Sequence, residues 1–427
     1  LIKFRQENKL AKFSGVYILY ACAQNNIQLH PMDFNYSDER ETSTMIYKQY
    51  GKTGKKVSAV GFGGMRFDTD QPQEKNAELV LHAFDKGINY FDTAPDYCYD
   101  QSEDIFGSAL KQLRKERDRF FISTKGMPTA LPTAAQARGA VEKSLKRLKV
   151  DKIDFYHVWC IRTLEHYELA MKKGGQYEAL RQCQEEGMIE HIVVSTHLDA
   201  EGVGQVLSRG DFDGVLLGVN ILNFPYRWDG VQKAYEAGIG VVAMNPLAGG
   251  AIAQYADELT YLTEGNETPV EAALRFCISC PQITVTLNGF ATQDHIDTAC
   301  RVADNCQPFQ PEDIERIRKR VARGMDKLCT GCGYCLESCV QNIPIASYLQ
   351  YYNAKSMFGR TDEEMMTGLK EQYEWQLLVG RKAEAGDCIE CGKCEEACTQ
   401  HLPIMERLRE MAEWQKEMER NKISDNS

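Results

Sequence analysis

Long apolar runs are missing from this 427-residue sequence: the longest, residues 16–23, is far short of the ~18 residues that a membrane-spanning helix needs. Positive charge is also scarce. With 50 Lys and Arg against 61 Asp and Glu the net charge is −11, which excludes broad attraction to a polyanion, so no nucleic-acid partner and no membrane partner are expected. No secretory signal is read in the given residues, and the compartment is expected to be the reducing cytoplasm, where thiols stay free. At 43% hydrophobic and 26% charged residues the chain lacks the depletion that marks disorder, and its length leaves room for two or three domains at ~150 residues each.

Cysteine, by contrast, is abundant. Eight of the 16 lie between Cys329 and Cys398, and the rest are scattered. The first 44 residues show no periodicity and begin with Leu. Asp38-Glu39-Arg40-Glu41 ahead of Thr42-Ser43-Thr44-Met45 is what a translated ribosome-binding site, spacer and start codon would give, so 1–44 is expected to be a leader or a non-native extension.

From residue 57 onward, short β-branched or aromatic runs alternate with segments of helical period. Strands are expected at 57–65, 88–93, 120–125, 153–159, 191–195, 214–220, 240–245 and 283–287, each followed by a helix. Eight such units over ~250 residues is the arithmetic of an α/β fold of the (β/α)8 TIM-barrel type, with a doubly wound open sheet as the competing arrangement. After Cys306 the strand pattern stops. The expected organisation is a barrel over 45–306 and a second, smaller α-helical domain over 307–427.

Cys329-x2-Cys332-x2-Cys335-x3-Cys339 recurs as Cys388-x2-Cys391-x2-Cys394-x3-Cys398, each with a proline at the same later offset, Pro344 and Pro403. Steps of three wrap thiolates around one centre, whereas structural zinc favours two separated ligand pairs. The spacing points to two [4Fe-4S] clusters. As in two-cluster ferredoxins, Cys329, Cys332, Cys335 and Cys398 would hold one, and Cys388, Cys391, Cys394 and Cys339 the other. With 48 helix-like residues between the motifs, the segment resembles the α-helical ferredoxin domains fused to larger oxidoreductases.

Barrel sites form at the C-terminal ends of strands, where Asp92, Lys125 and His157 stand, with Tyr97 five residues after Asp92. Together these resemble the tetrad of the aldo-keto reductase family over roughly residues 45–306. The resemblance implies Tyr97 as proton donor to a substrate carbonyl, Lys125 and Asp92 beside it, and His157 orienting the carbonyl. A neighbouring ammonium would lower the phenol's pKa toward the working range. Tyr99 lies close by, but the offset from Asp92 selects Tyr97.

The same resemblance implies NAD(H) or NADP(H), with contacts from Gly63, Gly64, Ser195, Thr196, Asn220, Met244, Pro246, Leu247, Gly249, Gly289 and His295. Thr196 stands in place of an asparagine and Met244 in place of a stacking aromatic. His295 occupies the loop where an arginine often grips the 2′-phosphate, and no strand–GxGxxG–helix unit occurs. The implied partner is a small-molecule carbonyl substrate, and three roles stay open for the clusters: structural, relay of electrons to an external carrier, or supply to a substrate that tolerates single-electron steps. A second reading is a redox or nicotinamide sensor without carbonyl turnover.

Overall fold

The computed structural model describes residues 45–324, 328–329, 333–378, 382–398 and 401–424. The leading segment 1–44, Cys332 and Thr399 lie outside them. Ten strands occur among the described residues: β1 (Tyr47–Gln49), β2 (Lys56–Ser58), β3 (Val60–Gly63), β4 (Tyr90–Asp92), β5 (Phe121–Gly126), β6 (Ile153–Ile161), β7 (Ile189–Thr196), β8 (Gly214–Gly218), β9 (Gly240–Met244) and β10 (Val285–Gly289). Strands β3 to β10 run parallel in chain order and close through β10 onto β3, with Thr286 opposite Val60 and Gly289 opposite Gly63. Closure excludes the open sheet and gives the eight-stranded barrel that the βα period implies.

The strand expected over 57–65 is broken at Ala59. Its first part pairs antiparallel with β1 as a hairpin that the sequence reading did not anticipate, and the hairpin turn carries Tyr50 into the floor of the barrel. Its ring lies 4.3 Å from that of Phe155 and displaces side chains from two strands. A Cβ on Gly214 or Gly240 would sit 2.3 or 2.4 Å from Tyr50 atoms, which is why both positions are glycine. Above Tyr50 the inward residues Tyr90, Phe155, Val193, Leu216, Val242 and Val285 fill the barrel, so the mouth at the strand ends is the part left for chemistry.

The charged helix Pro311–Gly324 packs Ile314, Ile317 and Val321 into the barrel's outer apolar cluster. The second apolar cluster begins at Cys329, so the compositional change after Cys306 precedes the change in packing. Beyond it the described structure is helical, as expected, and the residues from Met45 onward form one compact unit. Two aromatic contacts tie the helical part to loops at the barrel mouth: Phe358 stacks on Tyr255 at 4.5 Å, and the Trp375 ring lies 5.9 Å from the Arg162 guanidinium. Among the described residues no helix is long and apolar enough to cross a membrane.

Candidate active site and cysteine clusters

Alternation along the strands turns Asp92, Lys125 and His157 inward at the barrel mouth. All three are buried, Lys125 and His157 completely. Lys125 Nζ donates to Asp92 Oδ1 and, at 2.7 Å, to the Thr93 carbonyl. Ser123, two residues earlier on the same face of β5, donates its hydroxyl to Asp92 Oδ2. Sequence reading missed Ser123, although its spacing from Lys125 places it on the inner wall.

Tyr97 stands in a loop where Asp96, Cys98, Tyr99 and Asp100 all have positive φ, a tight path that turns the Tyr97 ring back over the mouth. Lys125 Nζ lies 5.4 Å from the centroid of that ring. Tyr99 is 88% exposed and points away. Burial, then the Asp92 carboxylate, hold the Tyr97 phenol well above its usual range, so the net shift is opposite to the lowering expected from a neighbouring ammonium. Burial also pushes Lys125 down, against the opposing pull of Asp92. The phenol is therefore firmly protonated, which is the state a proton donor requires.

His157 makes no hydrogen bond to the phenol. Its Nε2 lies 3.8 Å from Asp92 Oδ2, and neither ring nitrogen has a hydrogen-bond partner. The ring that meets Tyr97 is Trp159, edge-on at 5.7 Å and one inward position further along β6. Just beyond it, a register shift between Val158 and Ile161, with Cys160 at φ 64°, lets the strand curl at the mouth. Burial, then the charge of Lys125, push the His157 pKa well below 6.5, so the imidazole is neutral when folded. An unfolded chain would take up that proton near pH 6.5, so stability falls as pH drops below that value, by up to ~1.4 kcal/mol per pH unit from this residue. Chemical denaturation of wild type and His157→Gln between pH 7 and pH 5 should show a shallower pH dependence in the variant. Equal slopes would contradict a buried neutral imidazole.

The residues expected around a nicotinamide cofactor lie at the same end of the barrel but divide by local role. Ser195 is buried near the end of β7. Thr196 donates to the Ile161 carbonyl at 2.9 Å, and Asn220 donates to the Asn245 carbonyl and accepts from the Leu222 and Asn223 amides. Both side chains stitch loops together. Gly64 faces inward packing, since a Cβ there would sit 2.4 Å from Phe106 and Ser102, and Gly63 lies against Leu287.

After Met244 and Pro246-Leu247 the backbone is open. Gly249 and Gly250 have φ of 71° and 103°, and a Cβ on either would meet no heavy atom within 4 Å. Such a segment admits close approach by a pyrophosphate, so the residues present fit a dinucleotide. His295 is exposed, with Nδ1 3.5 Å from the Ala291 amide. Arg66, which the sequence reading did not single out, crosses Gly289, where a Cβ would sit 2.5 Å from its Cγ.

In the helical part, Cys339, Cys388, Cys391 and Cys394 line one hollow together with Val340, Ile343, Ile345, Ile389, Met405 and Leu408. Cys329, Cys335 and Cys398 are buried in the adjoining apolar cluster. Four thiols lining one hollow are a donor set that suits a polynuclear iron–sulfur group.

The two motifs repeat in backbone as well as in spacing. Gly333 and Gly392, at φ 83° and 78°, each open a short helix. Asn342 and His401, three residues past Cys339 and Cys398, each take positive φ and donate their amides to those cysteines' carbonyls. Ile345–Phe358 and Ile404–Ser424 then start directly after Pro344 and Pro403.

A closed parallel barrel with a buried Lys–Asp pair and a tyrosine at its mouth, followed by a thiol-lined helical domain, defines a barrel oxidoreductase fused to an iron–sulfur module. The aldo/keto reductase family model matches residues 59–322, more than half of the chain, and the chain belongs to that family. A 4Fe-4S dicluster domain matches residues 328–402.

The chain is 30% identical over 217 residues to L-galactose dehydrogenase of Arabidopsis thaliana, covering 48% of this chain and 66% of that protein, just under two thirds of its length. It is 26% identical over 235 residues to an uncharacterized oxidoreductase of Bacillus subtilis, covering 49% and 68%. The fold is shared with an aldo-keto reductase from Bacillus halodurans in its holo form, at a TM-score of 0.55 and 24% identity over 65% of this chain and 96% of that one. It is shared also with an aldo-keto reductase from Klebsiella pneumoniae in complex with NADPH, at 0.54 and 22% over 64% and 95%.

Proposed function

We propose that the chain reduces a carbonyl substrate, or oxidises the corresponding alcohol, with NAD(H) or NADP(H), and that its second domain holds two [4Fe-4S] clusters that exchange electrons with an external carrier. The observation that carries the first part is the Tyr97 ring set over the Lys125–Asp92 pair at the barrel mouth. The bound nicotinamide supplies or accepts a hydride. Tyr97 gives its proton to the substrate oxygen as charge develops there, and Lys125, fixed by Asp92, Ser123 and the Thr93 carbonyl, stabilises the phenolate that remains. Trp159 walls the substrate beside the phenol, and the neutral His157, its ring nitrogens unpartnered, orients the carbonyl.

The cysteine assignment rests on the four thiols lining one hollow. Cys391, exposed at its rim, is the natural side for an electron carrier. A hydride moves two electrons and a cluster usually one, so the two halves need not exchange electrons directly. A thiol-rich chain with such clusters suits a reducing cytoplasm.

Anaerobic oxidation of NADH and NADPH with aldehydes, quinones and sugars tests this reading, and turnover of at least one carbonyl class is expected. His295 offers no fixed cation for a 2′-phosphate, so NADH should compete with NADPH, and His295→Arg should shift preference toward NADPH by roughly ten-fold or more. A hundred-fold wild-type preference for NADPH would contradict this and would assign the phosphate to Arg66.

A further inference from the structure

The barrel mouth carries a second group of charged residues that the reductase reading leaves unused. Arg162 follows β6, three residues beyond Trp159. Its Nη1 donates to the Trp375 carbonyl at 2.5 Å, its Nη2 lies 3.8 Å from the Met127 sulfur, and its Cζ lies 5.9 Å from the centroid of the Trp375 ring. None of these partners is an anion, and its Nε is buried with no hydrogen-bond partner. A buried guanidinium donor left unsatisfied is costly, so its natural complement is an acceptor that arrives with a ligand.

Arg227 comes to the same place from the helix Phe224–Glu236, its Nη1 donating to the Leu198 carbonyl at 2.8 Å. Between them lies His197, whose amide donates to the Ile161 carbonyl at 2.9 Å. Burial, then the charges of Arg227 and Arg162, push this imidazole down to about 4, so both guanidiniums act on one small region. Met127 is two residues past Lys125, and Trp159 touches Tyr97, so that region adjoins the candidate catalytic residues.

We propose that the substrate is a carbonyl compound carrying an oxyanionic group, a carboxylate or a phosphate, which Arg162 receives with Arg227 behind it, while Trp375 of the iron–sulfur domain walls the far side. The proposal rests on the reductase reading and deepens it. A planar fork of N–H donors matches a carboxylate, and Trp159, Met127 and Trp375 give the organic body an apolar lining. The iron–sulfur domain is then part of the substrate pocket, whatever its clusters do with electrons.

The test uses the full chain with its clusters and compares 4-formylbenzoate, 4-formylphenyl phosphate and the neutral methyl 4-formylbenzoate. The ester withdraws electrons more strongly than the carboxylate, so intrinsic reactivity runs against the expected order. Wild-type kcat/KM for one of the anions should exceed that for the ester by ten-fold or more, and which anion leads identifies the group. In Arg162→Gln the ratio of anion to ester should collapse toward one, and in Arg162→Lys part of it should remain, with iron content measured in each to show that the domains are intact.

Quenching of tryptophan fluorescence by 4-formylbenzoate, without cofactor, reads binding separately. Equal use of all three aldehydes, with Arg162→Gln shifting them together, would overturn the oxyanion site and leave the reductase reading standing. Binding of 4-formylbenzoate that Arg162→Gln abolishes, with no aldehyde reduced, would support the anion site and overturn the reductase reading. Neither binding nor reduction would overturn both.

Discussion

Cys339→Ser should remove the same iron–sulfur cluster as Cys391→Ser, taking anaerobically prepared protein from about eight irons to about four, although Cys339 belongs to the first sequence motif and Cys391 to the second. The reason is geometric: Cys339 lines one hollow with Cys388, Cys391 and Cys394, and Cys329, Cys335 and Cys398 are buried in the apolar cluster that also takes in Cys394. On the proposed assignment each motif gives three thiols to one centre and one to the other, and the helices Tyr334–Ser338 and Lys393–Glu396 pack together, as that exchange needs. Losing a cluster also empties a hollow walled by Ile343, Ile345 and Leu408, so the variant's helical domain should melt earlier. Iron analysis with visible absorption reads the first effect, and circular dichroism the second. If Cys339→Ser and Cys335→Ser lost one and the same cluster while Cys391→Ser lost the other, the crossed assignment would be wrong.

Tyr97→Phe should lower kcat for carbonyl reduction by ~10²–10⁴-fold while leaving nicotinamide affinity nearly unchanged. Burial and the Asp92 charge keep the phenol protonated through neutral pH, so its proton becomes useful only when negative charge builds on the substrate oxygen beside it. The interaction is therefore made in the transition state and not in the ground state. Tyr99→Phe, at a side chain 88% exposed, should change little.

Much of this was legible in the chain because periodicity and spacing report directly on backbone geometry. All eight barrel strands stand where short β-branched runs stand, and the cysteine spacing with its offset prolines marks a repeat that the backbone reproduces down to the left-handed Asn342 and His401. What escaped depends on three-dimensional neighbours. The Tyr50 plug rests on a hairpin of two three-residue strands, too short to show a pattern, and on glycines in β8 and β9 far away in sequence.

At the mouth, resemblance placed His157 at the carbonyl. The inward face of β6 carries both His157 and Trp159, and the structure brings the Trp159 ring against Tyr97, a neighbour the resemblance does not name. Thr196 and Asn220 likewise look like ligand contacts in sequence, yet their side chains are engaged with neighbouring loop backbone. Arg162 carries no motif at all. Its interest comes from a buried Nε and from a tryptophan more than two hundred residues later in the chain.

The most direct test of the central claim is a single anaerobic turnover with 4-deuterated NADH or NADPH and an aldehyde, comparing wild type with Tyr97→Phe under saturating cofactor. Wild type should place one deuterium on the carbinol carbon of the alcohol product, with the cluster absorption unchanged, and the variant should form the same product at least a hundred-fold more slowly. Bleaching of the clusters by the labelled cofactor with no deuterated alcohol, or equal rates in the two proteins, would contradict it.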